Sequence, residues 1–291
     1  MDRKQFLASL AILPFVPTAM KLNDLNKLSP STKSTGNMPV LFIGHGSPMN
    51  AIEQNEFTQG WRTVADSIPK PVAILCISAH WETSGTLVTS MAKPKTIHDF
   101  GGFPQKLFDV QYPAPGNHEL ALETQLTITR TSVQLDEKWG LDHGAWSVIM
   151  QMYPDASVPV VQLSLDYNQT PRQQYDLAKE LAPLRRKGVL IIGSGNIVHN
   201  LRAIDWSGRN QGFDWAVEAS DKIKKLITGN EHQQLIDYRK LGSAVELAIP
   251  TPEHYLPLLY VLALKNNDES VTFFNDKLVM GSLSMTSVSI S

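Results

Sequence analysis

The sequence predicts an α/β protein, a single-domain sandwich in which helices flank a central, largely parallel or mixed sheet. Short apolar runs rich in Val and Ile recur along the chain, and segments with helical spacing of apolar residues separate them. Strands that alternate with helices are typical of sheets covered on both faces. Residues 38–291 contain no linker-like stretch and no internal repeat, so we expect them to form one domain.

Four apolar runs lack polar alternation and are predicted to be strands buried on both faces. They read PVLFIG, VAILCIS, VPVVQLSL and GVLIIGSG. The C-terminal run SLSMTSVSIS alternates, which predicts an edge or half-exposed strand. Helices are predicted in QQYDLAKELAPLRR, DWAVEASDKIKKLIT and YLPLLYVLALK. Ahead of the last of these, Thr251 is expected to be an N-cap and Pro252 the first helical residue.

The balance of charges argues against some classes of partner. Lys and Arg total 26 against 28 Asp and Glu, without a long run of one sign. Nothing therefore favours a nucleic acid or an anionic membrane surface as a partner, and we expect a small-molecule substrate. Cys76 is the only cysteine, which excludes an internal disulfide, and its apolar context predicts a buried, inert thiol.

Residues 1–37 differ in character from the rest of the chain. A short basic head precedes an apolar stretch from Phe6 to Met20, and a polar Ser/Thr/Asn/Lys segment follows. This order predicts an export signal with a polar linker, and hence a periplasmic protein. Pro14 and Pro17 interrupt the apolar stretch, so stable membrane insertion is not expected. The alternative is an amphipathic N-terminal arm on a cytoplasmic protein.

Five of the eight histidines stand where loops should gather at one edge of the sheet. His45, His80 and His199 follow apolar strand runs, whereas His143 and His254 lie in turn-like segments before helical patterns. Ligands bind at the carboxyl ends of strands in open α/β sheets, and convergent neutral imidazoles suit a first-row divalent metal. The alternative for each histidine is a hydrogen-bonded core residue. His98 adjoins a Gly-rich aromatic loop that is either a lid or a packed Ω-loop.

Several motifs together resemble the 4,5-DOPA extradiol dioxygenase family, which belongs to the class III extradiol ring-cleavage dioxygenases. They are GHGSPMN, SAHWET, TIHDFGGFP, YPAPG, DHGAW, GSGNIVHNL and PTPEHYLPLLYVLA. The resemblance runs from about Pro39 to the C-terminus. It implies ring cleavage of a catechol such as DOPA by O2 at a mononuclear non-haem Fe(II) centre. It also implies that an isolated sample can hold Zn(II).

The resemblance further implies roles for the five histidines. His45 and His80 match metal ligands of the family, His199 and His254 match two further histidines at the same centre, and His143 matches the histidine that moves protons. Many ferrous oxygenases use two histidines and one carboxylate, and the nearest carboxylate here is that of Glu253. The sequence therefore leaves open which of His199, Glu253 and His254 completes the ligand set.

Two other questions stay open at the level of sequence. A zinc-dependent hydrolase, an amidase or esterase, could use the same histidine cluster, and a metal carrier without catalysis is a third possibility. Asp142, directly before His143, is expected either to orient the imidazole ring or to cap the helix that begins near Ala145.

Overall fold

The computed structural model describes residues 37–207 and 211–291, and residues 37–291 belong to one compact unit. The strands are β1 (Val40–Gly44), β2 (Ala73–Thr83), β3 (Thr86–Thr89), β4 (Val133–Asp136), β5 (Val160–Asp166), β6 (Val189–Gly195), β7 (Val271–Phe274), β8 (Leu278–Val279), β9 (Leu283–Ser284) and β10 (Ser287–Ile290). The helices are α1 (Glu56–Ser67), α2 (Gln105–Phe108), α3 (His118–Thr127), α4 (His143–Met152), α5 (Pro171–Lys179), α6 (Ala182–Arg185), α7 (Asp214–Thr228), α8 (His232–Ile236), α9 (Ser243–Ala248) and α10 (Leu256–Ala263).

Eight strands form one mixed sheet in the order β4-β3-β5-β2-β6-β1-β10-β7. The four runs predicted as doubly buried strands are β1, β2, β5 and β6, and they pair in parallel at its centre. Their side chains alternate between two cores: Val40 and Phe42 face one, and Leu41 and Ile43 face the other. Because α10 packs on β6 from one face and α4 packs on β2 from the other, both faces are covered. The predicted α/β sandwich is confirmed.

The prediction for the C-terminal run is wrong. Its last part forms β10, which lies between β1 and β7, pairs antiparallel with both and is almost entirely buried. The alternating serines suggest solvent exposure, but a buried serine hydroxyl can find its hydrogen-bond partners inside the protein. The Ser287 hydroxyl accepts a hydrogen bond from Gly44 N at 3.1 Å and donates one to Met285 O at 3.1 Å. On this side of the sheet the edge strand is β7, whose sequence VTFF was not predicted to be a strand.

The start of the last helix also differs from the prediction. Helix α10 begins at Leu256, with Pro257 in its first turn, so Thr251 is not its N-cap. The Thr251 hydroxyl instead donates to Glu253 Oε1 at 2.8 Å. Glu253 and His254 therefore lie in a turn before the helix, where their side chains are not tied to helical geometry.

The remaining sequence predictions about the chain have mixed outcomes. Cys76 is fully buried, as expected, and burial raises the pKa of its thiol well above the usual value. None of the helices within residues 37–207 and 211–291 has the length and apolar character needed to cross a bilayer. Residues 1–36 of the predicted signal and linker lie outside the described part of the chain, so export stays a prediction.

Candidate metal centre

The C-terminal edge of the parallel strands brings five histidines together, as the sequence predicts. His45 follows β1, His143 is the first residue of α4, His199 follows β6 and His254 precedes α10. His80 lies inside β2 rather than after it. At His80, β2 extends beyond its last residue paired with β6, which is Ser78. The register of β2 with β5 shifts in the same stretch, between Ile77 and Glu82.

Hydrogen bonds to His45 fix which of its nitrogens carries the proton. The Ser194 hydroxyl donates to Gly144 O at 2.5 Å, so it can only accept at its 3.0 Å contact with His45 Nδ1. His45 Nδ1 is therefore protonated, and the Nε2 lone pair points away from Ser194. That lone pair meets His80 Nε2 at 3.2 Å.

Asp99 joins His80 to His143 through a single carboxylate. Its Oδ2 lies 2.9 Å from His143 Nδ1 and 3.3 Å from His80 Nδ1, and its Oδ1 accepts from His143 N at 2.9 Å. Burial alone would raise the pKa of Asp99, but the hydrogen bonds and charge of His143 outweigh it and lower that pKa. Since an ionised carboxylate only accepts, His143 Nδ1 donates to it, whereas His80 Nδ1 lies at ion-pair distance. The Nε2 atom of His143 is thereby free for another partner, and that of His80 contacts His45.

The Glu253 carboxylate orients the His254 ring through a contact with its Nδ1 atom. His254 Nδ1 lies 3.1 Å from Glu253 Oε1, and the buried Nε2 of His254 has no hydrogen-bond partner within the described residues. His199 stacks on the His254 ring with centroids 3.4 Å apart and planes 8° from parallel. The ring of His199 is thus grouped with Glu253 and His254, and not with His45 and His80.

The donor set suits a transition-metal ion. One ring nitrogen each of His45, His80 and His254 lies within 4.8 Å of the other two. Burial, followed by the neighbouring imidazoles, lowers the pKa of His45 and of His254 well below the usual value, and burial lowers that of His80 to about 3. The rings are therefore neutral at pH 7. Three neutral imidazoles lie close together, and His254 Nε2 is buried without a partner within the described residues, so these residues fit a metal with imidazole ligands.

Two features of the helix start were open or unnoticed in the sequence. The Asp142 carboxylate accepts from Ala145 N at 3.1 Å, from the Ser78 hydroxyl at 2.6 Å and from Gln162 Nε2 at 2.7 Å. Asp142 is therefore the N-cap of α4, and Asp99 orients His143 instead. Gly144 is required for packing, because a Cβ there would lie 2.5 Å from Ser78 Oγ and 2.9 Å from His80 Cδ2.

The histidine cluster forms the floor of a cavity of about 350 Å³. His98 does not reach it: His98 Nε2 contacts Val110 O at 3.0 Å, and the ring packs against Phe100 and Trp146. Phe100 itself lines the cavity and meets His143 edge-on, with ring centroids 5.5 Å apart. The loop of His98 therefore contributes one wall of the site through its neighbours.

Asp99 is the functional residue that sequence reasoning missed. It stands beside His98 in TIHDFGGFP, and only its position between two histidines identifies it. Asp99 is 44 residues from His143 and 19 from His80 along the chain, so no local sequence pattern marks it.

Comparison with known proteins identifies the class. The family model of the catalytic LigB subunit of aromatic ring-opening dioxygenase matches residues 39–288. A 4,5-DOPA dioxygenase extradiol of Escherichia coli K12 is 46% identical over 261 residues, which cover 88% of this chain and 96% of that protein. One from Beta vulgaris is 40% identical over 224 residues, covering 75% and 83%. The crystal structure of an uncharacterized E. coli K12 protein superposes with a TM-score of 0.77 at 41% identity, covering 87% of this chain and 100% of that one.

The fold and the histidine centre are thus those of a ring-opening oxidoreductase. The chain belongs to the LigB family of aromatic ring-opening dioxygenases, and the resemblance to 4,5-DOPA extradiol dioxygenases is confirmed. Membership favours ring cleavage over the two alternatives, a zinc-dependent hydrolase and a metal carrier without catalysis.

Proposed function

We propose that this protein cleaves the ring of a catechol, such as DOPA, beside its hydroxyl pair, and places both atoms of O2 in a ring-opened semialdehyde. One observation carries the proposal: three neutral imidazoles, those of His45, His80 and His254, bring one ring nitrogen each within 4.8 Å of the other two. An open centre of this kind leaves positions for two catechol oxygens. Fe(II) is the metal we propose, since the reaction needs a redox-active ion.

When bound, Fe(II) supplies Lewis acidity toward the catechol oxygens and the redox chemistry with O2. The protein supplies the ligand geometry. Ser194 and Glu253 contact Nδ1 of His45 and of His254 by hydrogen bonds, and Asp99 lies 3.3 Å from Nδ1 of His80, so each ring has an outer partner that orients it. Such partners raise ligand basicity and fix ring orientation.

His143 is the proposed proton-moving group. Its Nδ1 donates to Asp99, so Nε2 is the nitrogen that can take a proton from a catechol hydroxyl and return it during ring opening. A negative carboxylate behind an imidazole stabilises the imidazolium that forms. Phe100 packs against the edge of this ring and limits its movement.

His199 is proposed to act beside the three-histidine set rather than within it. Burial, only partly opposed by the charge of Glu253, lowers its pKa to about 4, so the ring is neutral at pH 7. Its stacking on His254 helps to hold that ring in place. In this arrangement Glu253 is a partner of His254 Nδ1 and not a ligand.

The test is anaerobic reconstitution with Fe(II), followed by oxygen uptake on a panel of catechols, with Zn(II) reconstitution as the matched control. We expect uptake with one O2 consumed per ring opened, and only with iron. If neither the Fe(II) nor the Zn(II) sample consumes oxygen, the proposed function is wrong. If the zinc sample turns over as fast as the iron sample, the choice of Fe(II) is wrong.

A further inference from the structure

A second cavity lies beside the one above the histidines, and we call it the side cavity. Its volume is about 280 Å³, and it is lined by residues 199–202 and by Pro250, Thr251 and Glu253. His199 and Leu201 line both cavities. A molecule held at the histidines can therefore extend past these two residues into the side cavity.

The side cavity offers one charged group of each sign. Arg202 is exposed, and within residues 37–207 and 211–291 its guanidinium has no hydrogen-bond or ion-pair partner. Glu253 contacts Thr251 and His254 through Oε1 alone, so the described residues give its Oε2 no hydrogen-bond partner. A cation and a carboxylate oxygen in the lining of one cavity are thus available to a ligand.

The backbone that carries Arg202 is held in place by Asn200. Asn200 N donates to Ser282 O at 3.1 Å, and the Ser282 hydroxyl donates to Asn200 O at 2.8 Å. The Asn200 side chain donates to Leu247 O at 2.8 Å and accepts from Arg202 N at 3.1 Å. Because Asn200 is buried and uses its backbone and side chain in these four bonds, the position from which the Arg202 side chain projects is fixed.

The charges of the side cavity are complementary to those of an amino acid. A guanidinium binds a carboxylate through two parallel N–H groups, and a carboxylate oxygen accepts from an ammonium. A zwitterionic substituent that leaves water needs a partner for each of its charges. Arg202 and Glu253 supply both partners in one cavity next to the histidines.

We propose that the side cavity binds the charged end of an amino-acid catechol, with its carboxylate on Arg202 and its ammonium on Glu253 Oε2. The proposal rests on the proposed function, because it assumes that the hydroxyl pair faces the histidines. It makes Arg202 a residue that determines specificity, in a cavity separate from the floor that holds the catechol oxygens.

The experiment compares three catechols on the Fe(II)-reconstituted protein: DOPA, dopamine, which lacks the carboxylate, and 3-(3,4-dihydroxyphenyl)propionate, which lacks the ammonium. We expect kcat/KM for DOPA to exceed that for each of the other two about tenfold. This is the lower end of what a hydrogen bond to a charged group contributes, because solvent reaches both side chains. Anaerobic calorimetric titration with the same compounds gives their affinities without turnover.

Arg202→Met should bring the ratio of kcat/KM for DOPA to that for dopamine down to about one, because the carboxylate loses its partner. Arg202→Lys should give an intermediate ratio, since it keeps the charge but not the planar fork. Arg186→Met is the matched control, because Arg186 is also exposed but lines neither cavity. It should leave the ratio at the parent's value.

The two proposals fail in different ways. If catechols bind anaerobically but none is cleaved, the proposed function is wrong, and the measured affinities still test the side cavity. If catechols are cleaved but dopamine equals DOPA, or Arg202→Met keeps the parent's ratio, the assignment of Arg202 is wrong while the proposed function stands. A propionate that equals DOPA would exclude Glu253 as the ammonium partner. If no catechol binds, both proposals are wrong.

Discussion

At the scale of single residues, the centre depends on where protons sit. Three partners of different chemistry, the hydroxyl of Ser194 and the carboxylates of Asp99 and Glu253, occupy the outer nitrogens of three rings. The same carboxylate of Asp99 also holds His143, so in the proposed mechanism one group serves both a metal ligand and the proton-moving histidine.

His143→Ala tests the proton-moving role. We expect normal metal content and catechol affinity, with ring cleavage slowed about 100- to 10,000-fold, the usual loss for a general acid–base residue. Metal analysis, anaerobic catechol titration and single-turnover rates should be measured on the same sample. A variant with normal metal content and an unaltered rate would exclude His143 from the mechanism, and loss of metal would make it a ligand.

Asp99→Asn tests the shared carboxylate. The amide keeps the size of the side chain but has only one accepting oxygen, so it cannot serve both the two Nδ1 atoms, which share Asp99 Oδ2, and His143 N, which donates to Oδ1. We expect metal affinity to fall about 10- to 100-fold, as for other partners of metal-binding histidines, and cleavage to slow even at saturating metal. Asp109→Asn, on the exposed end of α2, is the control and should match the parent in both measurements.

At the scale of elements, the predictable parts are those whose burial is uniform. The strands β1, β2, β5 and β6 have no polar alternation, and helix α7 occupies the segment DWAVEASDKIKKLIT predicted for it. Short strands such as β3 and β7 escaped prediction because pairing partners far along the chain, and not local pattern, define them. The histidines were recognised from strand ends, whereas Asp99 required the tertiary contact.

One buried ion pair connects elements that are distant in sequence. Arg185, at the end of α6, donates to Met38 O at 2.7 Å, to Leu264 O at 2.6 Å and to the Glu269 carboxylate. The Arg185 side chain is only 1% exposed. It therefore ties the chain before β1, the end of α10 and the approach to β7 into one contact.

Arg185→Met should destabilise the fold by about 3–5 kcal/mol, the cost of leaving a buried partner charge uncompensated.

The ion pair also predicts a pH dependence of stability. Burial alone would raise the pKa of Glu269, but the hydrogen bonds from Arg185 outweigh it and lower that pKa below its usual value. A carboxyl group whose pKa is lower in the folded state contributes its full stabilisation above the unfolded-state pKa. That stabilisation is lost as pH falls through the folded-state pKa. Urea unfolding of the parent and of Glu269→Gln should therefore differ at pH 7 and converge in acid, and a constant difference would contradict this account.

At the scale of the whole molecule, a metal held by the proposed ligands would connect three parts of the chain. His45, His80 and His254 come from the beginning, the second strand and the last helical region of the domain. A ligand that binds only the folded chain stabilises it by about 2.7 kcal/mol at 100 times its dissociation constant. Metal content should therefore be visible in stability as well as in activity.

His45→Ala and His80→Ala should lose most affinity for Fe(II) and Zn(II) while the metal-free proteins keep near-parental unfolding curves. Thermal unfolding with and without each metal measures both properties together, and the parent should be stabilised where the variants are not. If both variants respond to metal like the parent, the centre lies elsewhere.

Export is the prediction that concerns the chain outside the domain. The basic head and apolar stretch of residues 1–20 predict a mature protein that begins after about residue 20 and is found in the periplasm. Mass spectrometry of the N-terminus in separated fractions is the measurement. An intact Met1 or Asp2 terminus confined to the cytoplasmic fraction would contradict it.

The position of β10 inside the sheet makes the order of synthesis matter. Residues 40–42 of β1 pair with residues 288–290, so one flank of β1 stays open until residues 288–290 have left the ribosome. The same late segment supports the site, since Asn196 Nδ2 donates to Ser284 O at 2.7 Å and the Met285 side chain packs against Gly46, beside His45. A nascent chain therefore cannot assemble the complete centre early, and fragments released before the last strand would carry histidines without the framework that aligns them. A metal held by these histidines would therefore bind only after residues 282–290 have been synthesised.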